Sequence, residues 1–235
     1  MKPSKKIILS CEHGGNVVPE EYEYLFKSAQ KTLKTHRGYD IGAADLYESF
    51  KNNEVSYCQV ATTSRLLVDI NRSLYRRTLF SEFSKNLGPI EKEQVLKEYY
   101  HAYRDKFEAE LRRLWLLRTT VLHVSVHSFT PELNGDIRHT DCGILYHPGR
   151  SNEKTFAKQW KHEINKLMPD FRVRFNYPYR GKPDGHVRYY RDREEDLYLG
   201  IEFELNQKHA YDSEVRKKLA ESFKAACETW LLSSF

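Results

Sequence analysis

Four side chains of this 235-residue chain stand where a catalytic centre would want them, and each follows an apolar run. His13 comes after the run Lys6–Ser10 and precedes Gly14-Gly15, a pair that lets the backbone turn away directly after the imidazole. His127 ends the alternating segment Thr120–Val126 and opens the loop Ser128-Phe129-Thr130-Pro131. Asn71-Arg72 follows Leu66–Ile70, and an arginine just past a strand end can grip a carboxylate through a two-pronged hydrogen bond. Glu202 and Glu204 share one face of Leu197–Leu205, whose other face carries Ile201, Phe203 and Leu205. Two inward acids are costly unless bonded or paired. Glu204, nearer the strand end, is therefore the candidate general base. His123 lies one alternation deeper than His127 and reads as a core histidine bonded to a neighbour.

The elements that must hold these residues alternate along the chain. Strands are expected at Lys6–Ser10, Val55–Thr62, Leu66–Ile70, Thr120–Val126, Cys142–Tyr146, Phe171–Phe175 and Leu197–Leu205. Helices are expected from Pro19, from Asp40, from Gly88-Pro89 to about Leu117, at Phe156–Leu167 and at Ser213–Leu232. The third of these carries the stripe Leu96, Tyr99, Tyr103, Phe107, Leu111 and Leu114 at spacings of three and four. Residues 76–88 suggest a mobile loop near the site. The alternation predicts an α/β sandwich around a mixed, largely parallel central sheet. Ligands of such sheets sit beyond the carboxyl ends of the strands, where the four side chains converge.

Composition narrows the field. A chain of this length buries roughly 70–75% of its unfolded surface and needs no disulfide to fold. No Gly/Ser linker or internal repeat divides it, so residues 1–235 are expected to form one domain. Cys11, Cys58, Cys142 and Cys227 are scattered without a CxxC pair, which excludes a zinc ribbon or a disulfide scaffold and suits a reducing cytoplasm. Each is expected to be a small buried hydrophobe. Met1–Leu9 does not read as a signal peptide, and no apolar run reaches the roughly 18–20 residues of a membrane span. The mild net charge of +5 suits a small anionic substrate and does not require nucleic acid, and neither a nucleic-acid nor a membrane partner is expected. Two basic–aromatic clusters, Tyr75-Arg76-Arg77 and Arg188-Tyr189-Tyr190-Arg191, resemble nucleic-acid surfaces. The acids Glu194, Glu195 and Asp196 close behind the second cluster argue for a solvated face instead.

An ordered set of motifs then resembles the N-formylglutamate amidohydrolase family over nearly the whole chain, from Ser10 to about Tyr211. The set comprises Ser10-Cys11-Glu12-His13-Gly14-Gly15-Asn16 with Pro19, His36 and Asp40-Ile41-Gly42-Ala43, and Ser64-Arg65-Leu66-Leu67-Val68-Asp69-Ile70-Asn71-Arg72. It continues through His123–Phe129, Asp141–Tyr146, Asn176–Gly181 and Glu204–Gln207. That family is similar in turn to zinc carboxypeptidases and aspartoacylases. The resemblance implies a three-layer α/β/α fold and zinc-dependent hydrolysis of an amide on an acidic amino acid. In the wider group a His-x-x-Glu motif and a later His hold the metal. His13 and His127 match the histidines, but the Glu position is Asn16, a poor zinc ligand.

Asp40 is the expected replacement as third ligand, although it also suits a helix N-cap. Glu12 is disfavoured, because in an extended chain it points opposite to His13. The implied mechanism gives Glu204 the proton transfers and Arg72 with Asn71 a substrate carboxylate. Arg65, Arg138 and Arg180 are candidates for a second carboxylate, and Arg65 alternatively for the oxyanion. The expected reaction is cleavage of N-formyl-L-glutamate to formate and glutamate. Alternatives are a deacylase or peptidase on another acylated amino acid or small peptide, and a degenerate non-catalytic binder of acidic ligands.

Overall fold

The computed structural model describes residues 4–194 and 196–233. Met1–Pro3 of the leader reading and Glu195 of the acidic run lie outside them. Its strands are β1 (Lys5–Cys11), β2 (Val55–Val60), β3 (Thr120–Phe129), β4 (Glu132–Leu133), β5 (Asp136–Ile137), β6 (Cys142–Leu145), β7 (Val173–Phe175) and β8 (Tyr198–Asn206). Six of them form one sheet in the order β2-β1-β3-β8-β6-β7, and β4 with β5 makes a small separate hairpin. The pairs from β2 to β8 are parallel, whereas β6 runs antiparallel to β8 and parallel to β7. The expected mixed, largely parallel sheet is present.

Alternation along β3 sorts its side chains between two unlike layers. Leu122, Val124 and Val126 join Ile7, Leu9, Ile201, Phe203 and Leu205 in the main core. There the helices Ala43–Phe50, Ser151–Leu167 and Ser213–Leu232 cover the sheet with Phe50, Trp160 and Phe223. Trp160 stacks on Phe203 at 4.6 Å between ring centres, a contact that adds geometric specificity to the area it buries. On the opposite face, Ala102–Leu116 and His186–Arg191 pack Phe107, Leu111, Leu114, Val187 and Tyr190 against Ile8, Val121 and Tyr198. The result is the three-layer α/β/α arrangement. The second face also carries a polar row towards the strand ends: His123, Ser125 and His127 on β3, with Gly200, Glu202 and Glu204 as their partners on β8.

Several local expectations are corrected. Residues 66–70 form turns, not a strand; Leu67 donates its N–H back to Ser64 and Asp69 donates to Leu79. The apolar run exists because Leu66, Leu67 and Val68 fill a second core with Tyr22, Phe26 and Leu79, and a short buried run looks the same in either conformation. Residues 76–88 are irregular but packed, with Leu79 and Leu87 buried and Ser84 Oγ donating to Leu66 O. The segment after Pro19 is a 3₁₀ helix, Glu20–Phe26. Asp40 does not cap a helix with its side chain. The next helix begins at Ala43 behind Gly42, whose φ of 79° and contact with Ala210 only glycine tolerates. The long helix passes through a π-helical stretch, Leu96–His101, between Pro89–Val95 and Ala102–Leu116.

Candidate metal centre

His13 stands two residues beyond Cys11, the last residue of β1. The glycines after it serve close approach rather than unusual φ. A Cβ on Gly15 would stand 2.4 Å from Thr62 O, and one on Gly14 2.5 Å from Val60 Cγ2. The loop is thereby pressed onto the exit of β2. Asp40 is tied to the same place, because its N–H donates to His13 O at 2.9 Å. His127 enters from the adjacent strand β3 and faces Glu204 across the β3–β8 pair.

These elements bring three donors together. Asp40 Oδ2 lies 2.9 Å from His127 Nδ1 and 3.4 Å from His13 Nδ1. All three side chains are buried, and their ligand atoms lie within 4.8 Å of one another. The far nitrogen of each ring is held by a second acid. His13 Nε2 is 2.7 Å from Asp69 Oδ1, and His127 Nε2 is 3.1 Å from Glu12 Oε2 and 2.8 Å from Ser125 Oγ. A carboxylate behind an imidazole fixes the proton on that nitrogen and turns the other lone pair forward. His13 Nδ1 is buried and without a hydrogen bond, as a nitrogen reserved for an ion would be. Two imidazole nitrogens and one carboxylate oxygen suit zinc.

Electrostatics within the cluster are strongly coupled. Burial works against a charged imidazole, but the hydrogen bonds it donates to Asp40 and Glu12 prevail and hold His127 well above the usual range. Burial likewise opposes ionisation of Asp40, yet His13 and His127 keep its carboxyl far below the ordinary value. Asp69 is lowered too, by Arg65 and His13 against its burial. Arg65 joins the two acids, with Nη1 3.3 Å from Asp40 Oδ1 and Nη2 2.9 Å from Asp69 Oδ2. Both its terminal nitrogens are thus engaged within the cluster, although the side chain still lines the cleft.

The cleft before these donors encloses about 360 Å³ and is lined by His13, Asp40, Arg72, His127, Arg180 and Glu204 among others. Glu204 is buried, and its Oε2 has no hydrogen-bond partner. Burial raises its pKa to about 8; Asp40 and Glu202 add to the rise, while His127 and Arg65 work against it. Arg72 lines the cleft with Nε 3.7 Å from Asp69 and is partly exposed. Asn71 also lines it, but its Oδ1 accepts the N–H of His186 at 2.6 Å, which makes it a brace between its turn and the start of the helix His186–Arg191. Arg180 stands exposed at the cleft wall, with no side-chain hydrogen bond or ion pair among the described residues. Arg138 is not brought to the lining. It lies buried over the rings of Phe129 and Tyr179.

Of the alternative third ligands, Asn16 turns away, its Nδ2 donating to Leu33 O at 2.9 Å. Glu12 does point opposite to His13, and that direction delivers it to the back of His127. Sequence reasoning missed both orienting acids. A signal for Asp69 existed, since a lone carboxylate inside an apolar run must be bonded to something. His123 has the structural role expected of it, bonded to Ser10 Oγ and Tyr198 OH at 2.6 Å each. Its pKa is lowered to about 3, chiefly by burial. All four cysteines are free, three of them buried.

Among the described residues no helix is long and apolar enough to cross a membrane. No curated protein matches the chain. The fold is similar to that of gene product Atu2144 from Agrobacterium tumefaciens, with a TM-score of 0.79 at 21% identity over 97% of this chain and 92% of that one. It is also similar to N-formylglutamate amidohydrolase from Ralstonia eutropha JMP134, with a TM-score of 0.67 at 14% identity over 97% and 94% of the two chains. Residues 5–210 match the family model of N-formylglutamate amidohydrolase, and the chain belongs to that family.

Proposed function

We propose that this protein hydrolyses the amide of an N-acylated acidic amino acid, with N-formyl-L-glutamate as the simplest substrate. The observation that carries the reading is the pair of Nδ1 atoms aimed at one Asp40 oxygen, each ring backed by its own acid, with an unpartnered Glu204 across the cleft. His13, Asp40 and His127 would hold a divalent ion, zinc by their donor types. Such an ion, when bound, supplies polarisation of the acyl oxygen and acidification of a water molecule.

The chain's own groups account for the rest. Glu204 accepts a proton from the attacking water and returns it to the leaving nitrogen. A carboxyl held near neutrality by burial suits both transfers. Arg72 takes a substrate carboxylate, and Arg180, without a side-chain partner among the described residues, takes the other. Arg65 keeps Asp40 and Asp69 in place. The free cysteines suit a reducing setting, and we place the protein in the cytoplasm.

The test compares turnover of N-formyl-L-glutamate, N-acetyl-L-glutamate and small peptides by zinc-loaded and chelator-treated protein. Metal content is measured in parallel in H13A, D40A and H127A. Turnover lost with the metal, and metal lost in all three variants, supports the reading. Full metal retention in D40A would remove Asp40 from the ligand set, and no turnover of any acylated amino acid by loaded protein would leave a binder.

A further inference from the structure

Beside the metal cleft lies a chamber of about 760 Å³, about twice the volume of the cleft itself. Arg180, Pro183 and Asp184 line both, so the two spaces share a wall and Arg180 stands at their junction. The chamber gathers the two basic–aromatic clusters noted in the sequence, contributing Tyr75 and Arg76 from one and Arg188 and Tyr189 from the other. Six Arg and Lys residues line it against three Asp.

Its floor is the most telling part. Arg104 is 4% exposed, with its guanidinium 4.4 Å from the ring centre of Tyr189 and 5.1 Å from that of Tyr100. Nη1 donates to Ile70 O at 3.0 Å, but Nη2 is buried without a partner. Among the described residues no carboxylate pairs with it. A buried guanidinium keeps its charge, and leaving it without an anion is costly. On the walls, Asp184 neutralises Arg76 at 3.1 Å and Asp192 neutralises Arg188 at 2.7 Å. Lys182 has no such partner among the described residues, and Arg193 lies over the outer face of Tyr189 at 3.3 Å. The chamber thus carries uncompensated positive charge between aromatic walls.

We propose that this chamber is a substrate subsite for a second acidic residue, joined through a peptide bond to the amino acid whose acyl group is removed in the metal cleft. The preferred substrate is then an N-acylated acidic dipeptide or longer peptide rather than a single amino acid, and Arg180, which lines both spaces, takes a carboxylate of the second residue in place of the α-carboxylate that the peptide bond removes. This deepens the reading under Proposed function and rests on it. The reaction is unchanged: water adds its oxygen to the acyl carbon, the acyl C–N bond breaks, and the departing amine of the peptide takes up the proton. A peptide fits better than a nucleic acid, because the chamber shares a wall with the proposed amide-cutting site.

The experiment compares kcat/KM for N-formyl-Glu, N-formyl-Glu-Glu and N-formyl-Glu-Lys on zinc-loaded protein and on the K182A/R193A double variant. Neither altered residue lines the metal cleft. Wild type should prefer N-formyl-Glu-Glu over N-formyl-Glu by about tenfold or more. The double variant should lose that preference while keeping its activity on N-formyl-Glu. Hydrolysis of N-formyl-Glu with no preference for the second acid overturns the subsite and leaves the hydrolase reading intact. Calorimetry with the dipeptide Glu-Glu gives a readout independent of turnover. Binding about tenfold weaker in K182A/R193A supports the subsite, and equal binding in the two proteins overturns it. Tighter binding of a single-stranded oligonucleotide than of Glu-Glu, lost in K182A/R193A, also overturns it.

Discussion

Glu12 Oε2 lies 3.1 Å from His127 Nε2, on the side of the ring opposite Asp40. The carboxylate is buried and also takes a hydrogen bond from Ser125 Oγ at 2.5 Å. His127 is therefore gripped at both nitrogens by acids, one in the cluster and one behind it. Asp69 stands in the same relation to His13. E12Q and D69N should each fold and each weaken zinc binding by roughly 10–100-fold, measured by competition with a chromogenic chelator. Unchanged affinity in both would mean that the rear acids do not orient the rings.

Metal binding should release a proton. In the metal-free protein Asp40 and Glu12 keep His127 protonated well above the ordinary imidazole range, and a ligating imidazole must give that proton up. Apparent affinity should consequently rise with pH, by about tenfold per unit while His127 remains charged. Calorimetric titration with zinc in buffers of different ionisation enthalpy counts the protons directly. A heat independent of the buffer would contradict the assignment.

E204Q should keep its metal and lose roughly 10²–10⁴-fold in kcat on the best substrate. The same substitution tests the pKa. Unfolded, this carboxyl titrates at about 4.3. Folded, it titrates at about 8, so between these values the native state holds a proton that the unfolded state has lost. The contribution of Glu204 to stability is thus full below the lower value and declines as pH rises through the window. In the metal-free protein, E204Q should gain on wild type from about pH 5 to pH 8, by an amount on the order of a few kcal/mol at most. Urea denaturation at the two ends measures it, and a pH-independent difference would refute the raised pKa.

R72A should raise KM for N-formyl-L-glutamate by roughly 10–100-fold with little change in kcat, since the arginine binds a carboxylate that does not react. R72K should recover only part of the loss, because an ammonium lacks the planar fork. A fall in kcat at unchanged KM would instead place Arg72 at the reacting atoms.

The strands that carry His127 and Glu204 were legible because strict alternation separates Leu122, Val124 and Val126 from the polar residues between them. The same alternation correctly sent Glu12 away from His13. What it could not reveal was that β3 lies beside β1 and places the back of His127 there. Asp69 was hidden for another reason. Its neighbours look like a strand by composition, but they are buried as turns under an irregular segment that looks too polar to pack. Arg138 differs again, a basic residue close in sequence to the motifs that lies over the rings of Phe129 and Tyr179 instead of lining the cleft. Pairings between distant segments have no period to read.

The order of the sheet also dictates when the centre can come into being. His13 and His127 sit at the ends of adjacent parallel strands that are more than a hundred residues apart in the chain, and the acid opposite them arrives on β8, later still. No early fragment emerging from a ribosome holds more than part of the ligand set. An ion held by His13, Asp40 and His127 would then be acquired by an assembled protein rather than act as the seed around which it forms. A chelated sample should keep its architecture and regain its ion without being denatured first.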